Sequence, residues 1–219
     1  MCSINHDLKA VYLHIPKTGG SYISSILSTY YGFKNYYLKR PDHIQFTRSN
    51  DNSIDKHENK TVGTYLYYSS CPYLNKIMNM NAEKWKTYKI FSFVRHPLKR
   101  LQSGFQYVKQ KGYYQHIDFD TFCQNAHLIN CWSYWHTFMT QNTHLINEKN
   151  ENVCFMIGKQ ENMEKDLTVI LEHFGLNIKH RPFIKNKTLT QSPQLLKYNK
   201  HLIYILLKDD FKNFEYQCM

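Results

Sequence analysis

Apolar residues recur along this chain with two periods, and stretches of the two periods alternate. Val11, Leu13 and Ile15 alternate with Tyr12 and His14, the two-residue period of a strand. Gly19 and Gly20 then permit a tight turn, and Ser21 is expected to cap a helix running to about Tyr31, with Gly32 suited to its C-terminal end. Residues 34–39 read as a short strand and residues 41–60 as a long polar loop. Residues 61–68 are β-branched and aromatic enough for a strand, which Ser69-Ser70-Cys71-Pro72 ends. A short helix over 82–87 leads to the apolar strand 88–95, and Pro97 opens a helix through about Gln110. Segments 118–126 and 128–140 read as helical, and 153–157 as another buried strand. Asn162 or Gln160 can cap a helix whose apolar face carries Leu167, Ile170, Leu171 and Phe174 and which ends at Gly175. Ser192-Pro193 is expected to start a last helix with Leu195, Leu196, Leu202, Ile203, Leu206 and Leu207.

Strands alternating with helices predict an α/β fold, a central parallel β-sheet flanked by helices. At 219 residues the chain is read as a single domain over 1–219, with residues 1–9 as an N-terminal tail. Ligands of such sheets bind beyond the carboxyl ends of the strands, and Lys17 and Arg95 both fall at such ends.

Charge narrows the partners. Lys and Arg number 28 against 17 Asp and Glu, a net charge of +11 that favours anions. The basic residues are spread along the chain rather than gathered in one motif, so no nucleic-acid partner is expected. No apolar run is long enough for a membrane span and no signal peptide is evident. The expectation is a cytoplasmic or otherwise soluble protein, with the Golgi lumen relevant only to a chain whose anchor has been removed. The six cysteines are scattered, which suits reduced thiols better than a disulfide framework. No C-x-x-C or H-x3-H grouping appears, so no metal is expected. Oligomeric state is not readable from the pattern.

The turn between the first strand and helix carries the first candidate chemistry. Backbone N–H groups at a helix start, two glycines, the hydroxyls of Thr18 and Ser21, and the Lys17 ammonium together suit a phosphate group. The order is not that of a P-loop, because Lys17 precedes the glycines. The second candidate is Arg95 at a strand end with Ser103 eight residues on, about two helical turns away. A guanidinium fork and a hydroxyl so spaced can bracket one phosphate. Trp132, Trp135 and His136 sit at helical spacing and suit core packing better than an acceptor wall, and His14 and His96 suit structural roles.

Taken together, the stretches resemble a known family. His14-Ile15-Pro16-Lys17-Thr18-Gly19-Gly20-Ser21 resembles the 5′-phosphosulfate motif of sulfotransferases that use 3′-phosphoadenosine 5′-phosphosulfate (PAPS). The segment from Phe93 to Ser103 resembles their 3′-phosphate motif, and that from Ile157 to Leu167 their late strand and helix. Order and spacing are similar to the carbohydrate, Golgi-type branch. The resemblance implies a P-loop-like sulfotransferase topology and PAPS as co-substrate, with adenosine 3′,5′-bisphosphate as product and no metal. It implies that Lys17, with Thr18, Gly19, Gly20 and Ser21, holds the 5′-phosphosulfate, that Lys17 stabilises charge on the leaving oxygen, and that Arg95 and Ser103 grip the 3′-phosphate. A late basic loop implies a nucleotide-closing role for Arg181, Lys185 or Lys187. The acceptor is expected to be a carbohydrate or another hydroxyl compound, and the positive net charge hints at an acidic one. For the catalytic base, the window that holds a histidine in one group of relatives contains Ser70, Cys71, Pro72 and Tyr73 here. A second window reaches His43 and Asp42, with His57 behind them; His43 ranks first. Two alternatives remain open: a nucleotide or polynucleotide kinase-like phosphotransferase, and an inactive module that binds PAPS or another polyanion.

Overall fold

The strand–turn–helix unit at the N-terminal end sits at the centre of the architecture. The computed structural model describes residues 2–36, 87–129, 131–147, 150–177 and 199–217. Strands are β1 (Cys2–Asn5), β2 (Ala10–Leu13), β3 (Lys34–Tyr36), β4 (Lys89–Val94) and β5 (Met156–Lys159). Helices are α1 (Gly20–Tyr30), α2 (Pro97–Gln110), α3 (Phe119–Gln124), α4 (Cys131–Thr137), α5 (Gln141–Leu145), α6 (Met163–His173) and α7 (Lys200–Asn213), with 3₁₀ turns at Ala126–Leu128 and Gln160–Asn162. The fold is α/β, as the alternating periods predict.

The sheet order is β3-β1-β2-β4-β5. β2, β4 and β5 run parallel, whereas β1 pairs antiparallel with both β2 and β3. The sheet is therefore mixed, not parallel throughout. The expected tail at 1–9 is corrected by the same pairing: all four residues of β1 are buried. The Ser3 hydroxyl donates to Asn35 Oδ1 at 2.6 Å, and Asn5 Nδ2 to the Tyr31 carbonyl at 2.8 Å. A stretch with no clear alternation becomes a strand because backbone partners flank it on both sides.

Three further boundaries differ from expectation. α1 begins at Gly20 with left-handed Gly19 as its N-cap, so no side chain caps it and Ser21 lies exposed in its first turn. β5 starts at Met156 rather than at residue 153, because residues before it approach the sheet through the Val153 N–H to Leu145 carbonyl and Phe155 N–H to Ile90 carbonyl bonds. The last helix starts at Lys200, where the Asn199 side chain accepts the Leu202 N–H at 3.1 Å. Ser192, Pro193, Leu195 and Leu196 lie outside the described residues, as do the loop 41–60, the strand 61–68 and the helix 82–86.

β2 is buried on both faces. Ala10 and Tyr12 pack with Phe91 and Phe93 under α1 and α6, against Ile23, Leu27, Leu167 and Ile170. Val11, Leu13 and Ile15 pack on the opposite face with Ile4, Ile90, Val94, Leu145 and Phe214. Helices thus cover both sides, as a parallel sheet centre requires. Beside the sheet, Leu101, Phe105 and Val108 of α2 join Phe119, Phe122, Phe138, Leu207 and Phe211 in a helical core. Gly104 allows this close approach, since a Cβ there would lie 2.5 Å from the His136 carbonyl oxygen.

Candidate active site

The turn after β2 is shaped by two left-handed residues. Lys17 has φ 69° and Gly19 φ 86°. A lysine there carries a backbone cost of about 1–2 kcal/mol, a kind of strain that accumulates at functional sites. A Cβ on Gly19 would meet the Met163 methyl at 2.3 Å, and one on Gly20 would overlap the His14 ring at 1.9 Å. His14 therefore braces the turn, stacked on Tyr12 with 13° between the rings. The Thr18 hydroxyl, expected to face a ligand, is buried and donates to the Ile15 carbonyl at 2.9 Å. It closes the turn instead. The first helical N–H groups to turn back, those of Tyr22 and Ile23, both reach the Gly19 carbonyl, at 3.0 and 3.3 Å. The N–H groups ahead of them point out of the helix end, the usual setting for an anion.

The second segment arrives at the same place. β4 is parallel to β2 and directly beside it, so their carboxyl ends are adjacent. Arg95 follows β4, and its Nη1 donates to the Lys17 carbonyl at 3.3 Å. His96 is the N-cap of α2, and Ser103 and Tyr107 lie one turn apart along that helix. The Lys17 ammonium lies 4.2 Å from the centroid of the Tyr107 ring. Burial, and then the charge of Arg95, bring the Lys17 amine down to about 8. Burial also lowers the Arg95 guanidinium, opposed by the Glu161 carboxylate.

Behind these groups lies a buried polar frame. Gln141 Oε1 accepts the Arg95 N–H at 2.7 Å while its Nε2 donates to the Arg95 carbonyl at 2.9 Å. Asp210 accepts the backbone N–H groups of Gln141 and Asn142 at 2.9 and 3.0 Å. Arg100, fully buried, donates from Nε to the Pro16 carbonyl at 3.1 Å and from Nη1 to that of Thr137 at 3.2 Å. Burial pulls its guanidinium down to about 10 against the attraction of Asp210, and pushes the Asp210 carboxyl up. Glu161 joins the late segment to this frame, accepting the His96 N–H at 2.8 Å and the Tyr216 hydroxyl at 2.9 Å. His14 and His144 stay neutral through burial; His14 is brought down to about 3.

Of the expected site residues, the structure brings Lys17, Thr18, Gly19, Gly20, Ser21 and Arg95 to two neighbouring strand ends, and places Ser103 in the second turn of α2. Asp42, His43, His57, Arg181, Lys185 and Lys187 lie outside the described residues. Four contributors escaped the pattern: Arg100, Tyr107, Gln141 and Asp210. Arg100 and Asp210 were detectable in principle, because each sits inside the apolar stripe of its helix, where an unpaired charge is costly. Gln141 carries no such signal.

Chemically, the site concentrates a lysine, an arginine and a helix N-terminus where two parallel strands end, an arrangement suited to a polyanion. Among the described residues no helix is long and apolar enough to cross a membrane, and no group of three or more His, Cys, Asp or Glu is suited to a metal. No curated protein and no solved structure gives a significant match to the chain. A sequence model described as the Sulfotransferase family matches residues 2–217, a span that takes in β1, both strand ends and α7. With that match over nearly all of its length, the chain belongs to the sulfotransferase family.

Proposed function

We propose that the protein transfers the sulfuryl group of PAPS to a hydroxyl acceptor, and that the acceptor is a carbohydrate. The observation that carries this reading is the convergence of Lys17 and Arg95, whose guanidinium donates to the Lys17 carbonyl at 3.3 Å. The residues fit a nucleotide with phosphates at both ends. Arg95 Nε is buried with no hydrogen-bond partner among the described residues, and Gly19 and Gly20 let the turn pack against the Met163 methyl and the His14 ring.

On this reading Lys17 and the backbone N–H groups of Thr18, Gly19, Gly20 and Ser21 hold the 5′ end. Arg95 and Ser103 hold the 3′-phosphate, and Arg181, Lys185 or Lys187 closes over the nucleotide. PAPS, when bound, supplies the sulfuryl group, and adenosine 3′,5′-bisphosphate is the product. Lys17 then stabilises charge on the oxygen that leaves sulfur, an electrostatic role in which positioning and charge do most of the work. The acceptor hydroxyl gives up its proton to a base within hydrogen-bond reach, assigned to His43 first and Asp42 second. The carbohydrate class rests on the resemblance of the two motifs to that branch, and the net charge of +11 suits an acidic glycan.

The test is a labelled-sulfate transfer screen from PAPS across glycans, phenols and peptides. Transfer to a glycan is expected, and Lys17→Ala is expected to slow it by about 100- to 1000-fold, the usual loss for one transition-state donor. No transfer to any class, together with no calorimetric binding of adenosine 3′,5′-bisphosphate, overturns the reading.

A further inference from the structure

Lys17 reaches the site on a flexible four-carbon stem from a left-handed backbone position, and a neighbouring guanidinium repels it. Something has to aim it. Its ammonium lies 4.2 Å from the centroid of the Tyr107 ring, well inside the range of a cation–π contact. The ring is itself held, tilted 42° against the His136 imidazole at a centroid distance of 5.1 Å. His136 sits on α4, which is packed tightly on α2 at Gly104. Tyr107 also follows Ser103 by one helical turn, so the ring draws the ammonium toward the helix that carries the other proposed grip.

We propose that Tyr107 is a positioning residue for Lys17, its ring face seating the ammonium over α2 in the free protein and presenting it to the 5′ end of the nucleotide. This rests on the nucleotide reading above. A ring face suits the task better than a carboxylate. It attracts the cation without neutralising it and leaves N–H donors for anionic oxygens. A preset lysine also loses less conformational freedom on binding than a mobile one. The Lys111 ammonium stands 5.5 Å from the same centroid, within the same range but farther out.

Two measurements test the proposal. In the ligand-free protein, nuclear magnetic resonance is expected to show the Lys17 ε-methylene protons shifted upfield by the ring. Tyr107→Phe should keep that shift and Tyr107→Leu should abolish it. An unshifted Lys17 in the wild type overturns the seat directly, whatever the variants do. In calorimetric titrations with adenosine 3′,5′-bisphosphate, Tyr107→Leu should weaken binding roughly 3- to 30-fold, the range of a cation–π contact. Tyr107→Phe should stay within about twofold of wild type, and Tyr107→Leu should add less than about twofold to the loss already caused by Lys17→Ala. Equal losses from Tyr107→Leu with and without Lys17 overturn the positioning role. Wild-type binding that Tyr107→Leu leaves untouched overturns that role alone. A wild-type protein that does not bind the nucleotide overturns the parent reading, and with it the task assigned to Tyr107.

Discussion

The two ends of the site are built by opposite means. At the end of β2 the backbone makes the site: Lys17 and Gly19 are left-handed, and Gly20 is required by the His14 ring. At the end of β4 no residue from Arg95 to Gln110 is left-handed, and side chains do the holding. Arg95 is gripped on both its N–H and its carbonyl by Gln141, 46 positions away, and Gln141 is gripped by Asp210, a further 69 positions on. The first end is a local conformation; the second is a long-range network. Damage to the first should stay local, and damage to the second should spread through the fold.

The largest expected effect breaks the network. Asp210→Ala leaves buried Arg100 without its countercharge and two backbone N–H groups without acceptors, a loss of about 3–5 kcal/mol in stability. Chemical denaturation measures it, and a variant as stable as wild type would show that the frame behind Arg95 is dispensable. Next comes Arg95→Ala, expected to weaken binding of adenosine 3′,5′-bisphosphate by about 10- to 100-fold, the worth of hydrogen bonds to a charged group. Unchanged affinity by calorimetry would leave the turn as the sole grip. Gly19→Ala sharpens the contrast from the other side: the strain at φ 86° should cost about 1–2 kcal/mol by urea midpoint. The Met163 methyl must also move aside, and the Gln141–Asp210 bonds should persist.

The last effect is a pH dependence of binding. With its amine brought down to about 8, Lys17 loses its charge as pH rises through that value. An ordinary lysine would keep its charge to about 10.4. A bound anion favours the charged form, so nucleotide affinity should fall above that pH, approaching about tenfold per pH unit. Stability moves the other way: above about 8 the unfolded state binds more protons at this site, so its contribution becomes more favourable as pH rises toward the unfolded value. Calorimetry between pH 7 and pH 9.5 checks the affinity. A profile that Lys17→Ala leaves unaltered would assign the titration to another group.

What the pattern of residues disclosed follows the same division. The strand and turn from Ala10 to Gly20, the helix Pro97–Gln110, and the left-handed glycines at 32 and 175 are local features with local signals, and they were legible. Ser21 misled because it looks like a cap, whereas left-handed Gly19 caps the helix two residues earlier. β1 was missed because its pairing with β2 and β3 is fixed by partners elsewhere in the chain, and Cys2-Ser3-Ile4-Asn5 alone carries no two-residue period. Asn199 rather than Ser192 heads α7 for a similar reason: both are good caps, and the Asp120 carboxylate accepts the Asn199 N–H at 2.9 Å. Gln141 at the heart of the frame looks like any helix-opening glutamine until the strand end is folded against it.

Arg100 has one further consequence. By tying the Pro16 carbonyl to α2 at 3.1 Å, it fixes how far apart the two strand-end grips stand before any ligand arrives. A rigid spacing acts as a gauge. If the nucleotide binds as proposed, adenine nucleotides whose anionic groups are set differently, such as ADP or the 2′,5′ isomer, engage one jaw and miss the other. Selection among chemically similar donors then originates in a strut that touches none of them.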